Sequence, residues 1–231
     1  MKGKAQKTGK EEETRKREKA EKKERAEKME KAEKTEETTR ERILEETIAQ
    51  FNEKGLKFTM DDIARNLSIS KKTIYAIIGD KKTLLNEMAD YCFDSIREKK
   101  EEIFKSSRQD TVCLIKEVLK AMPQQYQNID LRQLHVLKDK YPPVYAKVAK
   151  RLESDWDTTL TLLNRGVKEG VIREFNVAVF KTMMHATLEK FFEKDILVEN
   201  DITYQEALEE VVEILIDGVR LQKTDSRITN L

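Results

Sequence analysis

Apolar residues are almost absent from the first 40 positions of the chain and recur at helical spacing from Arg40 onward. The first apolar stripe has the period of one helix face, and Gly55 stands after it as a stop signal. A longer stripe opens behind Asp80 and extends to about Phe104, which predicts a helix of roughly six turns. A helix of that length can join two parts of a molecule.

Between these two segments, capping residues predict two short helices. Thr59 and Asp62 have the spacing of a capping box, which opens the first helix. Ser70 is a capping residue for the second helix, predicted over about 71–78. A helix, a short turn and a second helix have the dimensions of a helix-turn-helix, in which the second helix enters the DNA major groove.

The rest of the chain predicts further helices and no convincing series of strands. The predicted helical segments are about 111–122, 131–138, 144–168, 176–192 and 204–220. The expected fold is therefore all-α, with an N-terminal three-helix helix-turn-helix head and a C-terminal helical bundle body, joined by a long helix 4.

Composition agrees with a helical protein, since the 231 residues include only 7 Gly and 3 Pro. Cys92 and Cys113 have no metal-type spacing, so we expect free thiols in a reducing cytoplasm and no metal or cofactor. No apolar run approaches the roughly 18–20 residues of a membrane span, and none near the start has signal-peptide character. We expect a cytoplasmic protein with no membrane partner.

Charge is distributed unevenly along the chain. Residues 1–40 hold 15 Lys/Arg and 11 Asp/Glu, whereas the remainder holds 30 and 33. A six-residue repeat over 18–35 places Glu four residues before a base, and each such pair stabilises a helix by about 0.2–0.5 kcal/mol. Residues 1–38 are therefore predicted to form a helical or disordered arm. Two roles stay open for it: non-specific attraction to DNA, or a solvated extension without a specific role.

Two lysine pairs stand at the starts of successive predicted helices, Lys71-Lys72 and Lys81-Lys82. A helix start offers unpaired N–H groups and the positive end of the helix dipole, both of which favour phosphate. The outer face of the second helix carries small and polar side chains, which suit a DNA groove. The predicted DNA-binding residues are Thr59, Ser70, Lys71, Lys72, Thr73, Tyr75, Ala76, Lys81 and Lys82.

The stretch TMDDIARNLSISKKTIY (59–75), followed by KKTLL (81–85), resembles the DNA-binding head of the tetracycline-repressor-like (TetR) family of bacterial transcription regulators. The resemblance covers about residues 43–85. It implies a homodimer whose two heads bind a palindromic operator in double-stranded DNA. It also implies a body that dimerises through its last two helices and often holds a small-molecule effector.

The resemblance also implies roles for individual residues of the head. Positions that match the usual phosphate contacts are Thr73, Tyr75 and Lys81. Positions that match variable residues facing the bases are Lys71, Lys72 and Ala76.

The chain departs from the family pattern beside the recognition helix. Ile78 and Gly79 stand where the family usually has an aromatic residue and often a lysine, which removes one expected phosphate contact. Asp80 occupies the place of a neutral cap, and Ser68 that of a glycine in the turn. We expect weaker binding or a different docking angle, for which Lys82 and the basic arm compensate.

An effector pocket needs apolar walls with a few polar groups. The candidate lining residues are His135, Tyr141, Trp156, Met183, Met184 and His185. Two long apolar stripes in the last predicted helices suit an isologous four-helix dimer interface. The candidate interface residues are Phe180, Met184, Leu188, Phe191, Leu208, Val211, Val212, Leu215 and Val219.

The predicted organisation has four parts: the arm 1–38, the DNA-binding domain 39–85, the ligand-binding and dimerisation domain 86–222 and a tail 223–231. The predicted function is that of a homodimeric repressor which an effector releases from its operator by moving the helix between head and body. The alternative is a helical scaffold or protein-interaction protein without sequence-specific DNA binding. The sequence shows no catalytic constellation, so we do not expect an enzyme.

Overall fold

The computed structural model describes residues 5–106, 110–123, 126, 132–193 and 196–221. Within these ranges the chain is helical, and its only β-type pairing is an isolated bridge between Ile172 and Arg220. The helices are α1 (Ala5–Lys54), α2 (Met60–Leu67), α3 (Lys71–Ile78), α4 (Lys81–Ser106), α5 (Thr111–Leu119), α6 (Arg132–Lys140), α7 (Pro142–Ser154), α8 (Asp157–Lys168), α9 (Val177–Glu193), α10 (Ile196–Glu199) and α11 (Tyr204–Asp217). The predicted all-α fold is confirmed.

The head forms where the last turns of α1 pack against α2, α3 and the start of α4. Its core consists of apolar side chains that are fully buried, namely Ile43, Phe58, Ile63, Ile74, Leu84 and Leu85. Five of them lie on the inner faces of their helices, and Phe58 lies in the turn before α2. This core fixes α3 against the other helices and leaves its opposite side to solvent.

The helix starts predicted from capping residues are confirmed. Thr59 Oγ1 accepts a hydrogen bond from the Asp62 N–H (3.2 Å), and Asp62 Oδ2 accepts one from the Thr59 N–H (2.8 Å), which completes the capping box of α2. Ser70 Oγ accepts from the Thr73 N–H (3.0 Å) at the start of α3. Asp80 Oδ1 accepts from an N–H in the first turn of α4 at 2.7 Å. Local polar contacts thus fix the starts of α2, α3 and α4.

The turn between α2 and α3 contains a left-handed residue that is not glycine. Ser68 closes α2 at φ 54 and ψ 38. Its N–H donates to the carbonyl oxygen of Arg65 at 3.2 Å. A residue with a Cβ is disfavoured there by roughly 1–2 kcal/mol. The serine in the family's usual glycine place therefore keeps the turn geometry at a cost in stability.

Replacing Ser68 by glycine is expected to raise the free energy of unfolding by about 0.5–1 kcal/mol, because glycine relieves the left-handed strain but adds freedom to the unfolded chain. Urea unfolding followed by circular dichroism measures the change. The matched control is Ser95→Gly, which lies inside α4 and should lower stability. A lower stability for Ser68→Gly as well would contradict the prediction.

The body is a bundle in which α5, α8, α9 and α11 share one apolar core. Its central side chains are fully or almost fully buried, among them Leu114, Ile115, Leu162, Leu163, Val212 and Ile216. Two backbone hydrogen bonds close the bundle after α11: the Arg173 N–H donates to the Val219 carbonyl (2.9 Å), and the Leu221 N–H donates to the Val171 carbonyl (3.0 Å). The last helix therefore ends at Asp217, three residues before its predicted end.

The single helix predicted over 144–168 is wrong, because the chain breaks between α7 and α8 at Asp155 and Trp156. Trp156 is buried, with its ring edge against Phe180 at 6.3 Å between centroids. Its indole Nε1 donates to the Leu152 carbonyl at 3.3 Å. Packing the large ring into the body core turns the chain, and a helix pattern alone does not show that demand.

Two long helices connect the parts of the molecule. α4 holds head and body together, and α7 is tied to it by Lys147 Nζ–Asp90 Oδ2 (2.6 Å) and Arg151 Nη2–Asp94 Oδ1 (2.8 Å).

α1 is one continuous helix of 50 residues, about 75 Å long, so residues 5–38 are helical and run into the head without a break. No helix in the described ranges is long and apolar enough to cross a membrane.

Candidate nucleic-acid interface and body cavity

The outer face of α3 is exposed as the helix-turn-helix prediction requires. Ile74 and Ile78 are buried in the head core, so the side chains on the opposite side project outward. Lys72, Tyr75 and Ala76 lie on that exposed side, with Tyr75 46% exposed. An exposed aromatic ring beside a lysine and a small residue suits contact with base edges and a sugar-phosphate wall.

Lys71 is held by the neighbouring helix. Its Nζ lies 2.9 Å from Asp61 Oδ2 of α2, and that hydrogen bond raises the pKa of Lys71. Both side chains are about half exposed, so the pair contributes little to stability. Its main effect is to orient Lys71 toward α2. Of the two lysines at the start of α3, Lys72 is then the one on the exposed side of the helix.

Ser70 and Thr73 form the entrance of the recognition helix. Ser70 Oγ is occupied as the cap and lies 2.7 Å from Thr73 Oγ1. The Thr59 hydroxyl is likewise engaged in the capping box with Asp62. The hydrogen bond from this hydroxyl is the largest cause that lowers the pKa of Asp62. These hydroxyls position the two helix starts, and Thr73 lies at the edge where a phosphate would approach α3.

Lys81 requires a correction. Its Nζ donates to the carbonyl oxygens of Leu56 (2.8 Å) and Phe58 and lies 4.0 Å from the centroid of the Phe58 ring. Burial lowers the pKa of Lys81. The ammonium group therefore faces the inside of the head, where it satisfies carbonyls of the turn before α2. The predicted side-chain contact of Lys81 with phosphate does not fit this geometry, whereas Lys82 is exposed.

Gly79 and Arg40 determine how α3 ends. Gly79 has φ 94 and ψ −95, a conformation that residues with a Cβ rarely adopt. Arg40 Nη2 donates to the Ile77 carbonyl (2.6 Å), and its Nη1 lies 2.6 Å from Glu87 Oε2. Arg40 thus holds the end of α3 against α1 and α4. Sequence patterns did not indicate this role, because its partners lie 37 and 47 positions away.

An apolar cavity lies at the junction of head and body. Its wall comes from α1 and α4 on one side and from the body on the other, and includes Ile48, Phe51, Met88, Cys92, Val148 and Tyr204. Burial raises the pKa of the Cys92 thiol to about 12, so this cysteine is an apolar wall residue at neutral pH. The cavity touches both the DNA-binding head and the connecting helix.

A second cavity adjoins the first, with Phe93 and Leu152 in both walls, and adds charged groups. Lys100 Nζ donates to the Asp155 carbonyl oxygen at 3.2 Å, and burial lowers the pKa of Lys100. Arg151 Nε is buried without a hydrogen-bond acceptor among the described residues. The two cavities together offer apolar walls with polar groups at one end.

The predicted effector-lining residues are only partly brought together. Trp156 and Met184 line the second cavity. Tyr141 packs on the head core, Met183 is exposed on α9 and His185 is half-buried there. The side chain of His135 lies outside the described part of the chain. The apolar pattern identified core residues of the body and did not identify the head–body junction, where the first cavity lies.

Only part of the predicted dimer residues lies on an accessible surface of the protomer. Most of them belong to the core of the protomer itself: Phe180, Met184, Leu208, Val212 and Val219 are buried. Leu188, Phe191, Val211 and Leu215 are half-buried. The outward face of the same two helices carries Val179, Met183 and Ile214, which are 54%, 51% and 62% exposed. The buried side chains of α9 and α11 belong to the core that they share with α5 and α8, whereas the exposed ones face solvent.

A short capped turn between two helices, an exposed second helix and a helical body define a helix-turn-helix DNA-binding regulator. Residues 43–88 match the sequence model of the family described as bacterial regulatory proteins, tetR family. This match identifies residues 43–88 as a DNA-binding head of the TetR family of transcriptional regulators.

Two proteins with similar sequences are described as transcriptional regulators. YvaF of Bacillus subtilis strain 168, an HTH-type transcriptional regulator, is 25% identical over 78% of this chain and 94% of its own length. IcaR of Staphylococcus aureus strain Newman, a negative transcriptional regulator of the biofilm operon icaADBC, is 34% identical over 24% of this chain and 30% of IcaR. The second match is confined to a short segment.

Solved structures share the fold. The TetR-family regulator PfmR of Thermus thermophilus has a TM-score of 0.55 at 20% identity and covers 78% of this chain and 99% of its own. The fatty acid degradation regulator FadR of Bacillus halodurans has a TM-score of 0.59 at 16% identity and covers 79% and 97%. At such identities the likeness concerns the fold alone.

Proposed function

We propose that the protein is a homodimeric repressor that binds a palindromic operator in double-stranded DNA and leaves it when a small-molecule effector binds. The observation that carries the proposal is the exposed face of α3, backed by a buried apolar face, in a chain whose residues 43–88 match the TetR family. Two such faces related by a two-fold axis match two half-sites of a palindrome.

Within each head, the exposed residues divide into two roles. Lys72 and Ala76 face the bases, with Lys71 beside them at the edge of α2. Tyr75 and Thr73 lie at the wall of the groove and contact phosphate. Ser70 and Thr59 act by placing helix starts, and Lys82 supplies the phosphate contact that Lys81 does not make.

Selection of bound sequences from random double-stranded DNA with the purified protein tests this function. A selected palindrome supports both sequence-specific binding and a two-fold dimer. Weak binding without a selected sequence and with a flat salt response would favour the scaffold alternative.

Replacing Lys82 by Ala is expected to weaken binding to all DNA sequences alike and to reduce the salt slope by about 1 per protomer. Replacing Lys72 by Ala should instead change the preferred base at one position of each half-site. Fluorescence anisotropy over a salt series, with operators mutated at single positions, measures both effects. Lys168→Ala, an exposed lysine of the body, is the control and should change neither. Equal effects of Lys72 and Lys82 would contradict the division of roles.

The proposed effector site is the apolar cavity at the head–body junction. Its wall includes Ile48 of α1 and Met88 of α4 on one side and Val148 of α7 on the other, so a bound molecule touches both sides of the junction. Because these walls are apolar and the adjoining cavity holds Lys100 and Arg151, a lipophilic molecule with one polar end suits the site. Its entry would shift α4 relative to α1 and change the separation of the two recognition helices.

Filling this cavity with Ala89→Leu is expected to abolish the effector response and to keep operator binding, because Ala89 is buried on α4 in the cavity wall. The probes are medium-chain fatty acids, medium-chain alcohols and polycyclic hydrocarbons, tested for a rise in melting temperature and for release of the operator. The same substitution at exposed Ala49 is the control and should leave the response intact. An unchanged response in Ala89→Leu would place the effector elsewhere.

A further inference from the structure

The part of α1 that precedes the head takes no part in the head core, as far as its side chains are described. The described side chains at residues 23–25 and 27–38 are all exposed. The family match begins only at residue 43, so this extension of α1 precedes the matched segment.

The extension passes directly beside the recognition helix. A shallow open groove runs between the two, and its lining includes Lys28, Lys31, Thr35, Glu36 and Thr39 of α1 and Thr73 and Ile77 of α3. Glu36 Oε1 lies 3.9 Å from Arg40 Nη2, so a neighbouring cation offsets the carboxylate of this lining. Thr73, at the start of α3, is one of the proposed phosphate contacts. The groove therefore continues the proposed DNA surface from α3 onto α1.

Charge is sorted around this part of α1. Lys28 and Lys31 line the groove, whereas Glu30, Glu33 and Glu37 fall on the opposite side of the helix by its period. A solvated helix without a partner has no need of this separation. A face that presents Lys28 and Lys31 toward α3, with Glu30, Glu33 and Glu37 on the far side of the helix, matches the charge of a DNA backbone.

The groups that line the groove are suited to phosphate. The hydroxyls of Thr35 and Thr39 donate hydrogen bonds to carbonyl oxygens of α1 itself, both at 2.8 Å. These two residues therefore add no charge to the groove. Lys28 Nζ lies 2.6 Å from Glu24 Oε1, but both side chains are more than 60% exposed. Such an exposed pair contributes at most about 1 kcal/mol, so exchanging the carboxylate for a phosphate costs little.

We propose that this groove face of α1, centred on Lys28 and Lys31, binds the phosphate backbone of the operator next to the major groove that α3 occupies. The inference rests on the proposed function. It assigns the basic arm a defined contact in place of a diffuse attraction. Since phosphate contacts carry no sequence information, the face adds affinity and leaves the preferred sequence unchanged.

The test compares two double variants of the full-length protein on the selected operator. Lys28→Gln with Lys31→Gln removes the two groove lysines and keeps good helix formers. Lys23→Gln with Lys34→Gln removes two exposed lysines of the same helix that do not line the groove. Anisotropy titrations over a salt series give the slope of log K against log salt for each protein.

The groove variant should lose about 1.8 from the salt slope per protomer and bind more weakly at low salt, with the same preferred sequence. The control variant should keep the slope of the unaltered protein. An unaltered slope in the groove variant, or equal losses in both variants, overturns the inference while the operator remains bound. A failure of the unaltered protein to select any operator would instead overturn the proposed function, and the inference with it.

Discussion

Replacing Ile214 by Glu is expected to convert the proposed dimer into monomers and to lower operator affinity by at least about 100-fold. Ile214 is 62% exposed on α11, on the outward face that also carries Val179 and Met183 of α9. Around a two-fold axis each face meets its own copy, so one substitution buries two carboxylates in an apolar contact. Without the dimer, each head binds its half-site alone.

Sedimentation velocity gives the oligomeric state, and anisotropy titrations give the affinity for the full operator and for a single half-site. The half-site affinity should stay unchanged, since the head is untouched. Ile202→Glu is the matched control, because Ile202 is also exposed (41%) but precedes α11. A dimeric Ile214→Glu protein with unaltered affinity would show that the partner binds through another surface.

Replacing Gly79 by Ala is expected to lower the free energy of unfolding by about 1–3 kcal/mol and to weaken operator binding. At φ 94 and ψ −95 a residue with a Cβ is strained whatever space surrounds it, and no heavy atom lies within 4 Å of a Cβ built there. The loss therefore comes from the backbone. Relaxation of this strain would shift the end of α3 away from Arg40.

Gly79→Lys sharpens this prediction, because lysine is the residue that the family often has at this position. A new phosphate contact would strengthen binding if charge alone mattered. We expect both variants to lose similar stability in urea unfolding and neither to bind the operator more tightly. Tighter binding by Gly79→Lys with unchanged stability would show that the bend after α3 adapts freely.

Much of the head was predictable because its signals are local. Capping by Thr59, Ser70 and Asp80 involves residues three positions apart, and the structure confirms each cap. The inward face of α3 follows from the helical period, which placed Ile74 and Ile78 in the core. The predicted start of the last helix at residue 204 is also confirmed, and Thr203 and Glu206 form a capping box there.

The sequence by itself determined the helices of the head, their caps and the exposed side of α3, since these depend on neighbours within one or two turns. Only the tertiary structure decided which partner each side chain meets. It turned Lys81 inward to distant carbonyls, and it broke the chain at Trp156 because the body core accepts that ring. It also covered one apolar stripe of α9 and α11 with α5 and α8 and left Ile214 exposed, a choice that depends on packing between distant segments.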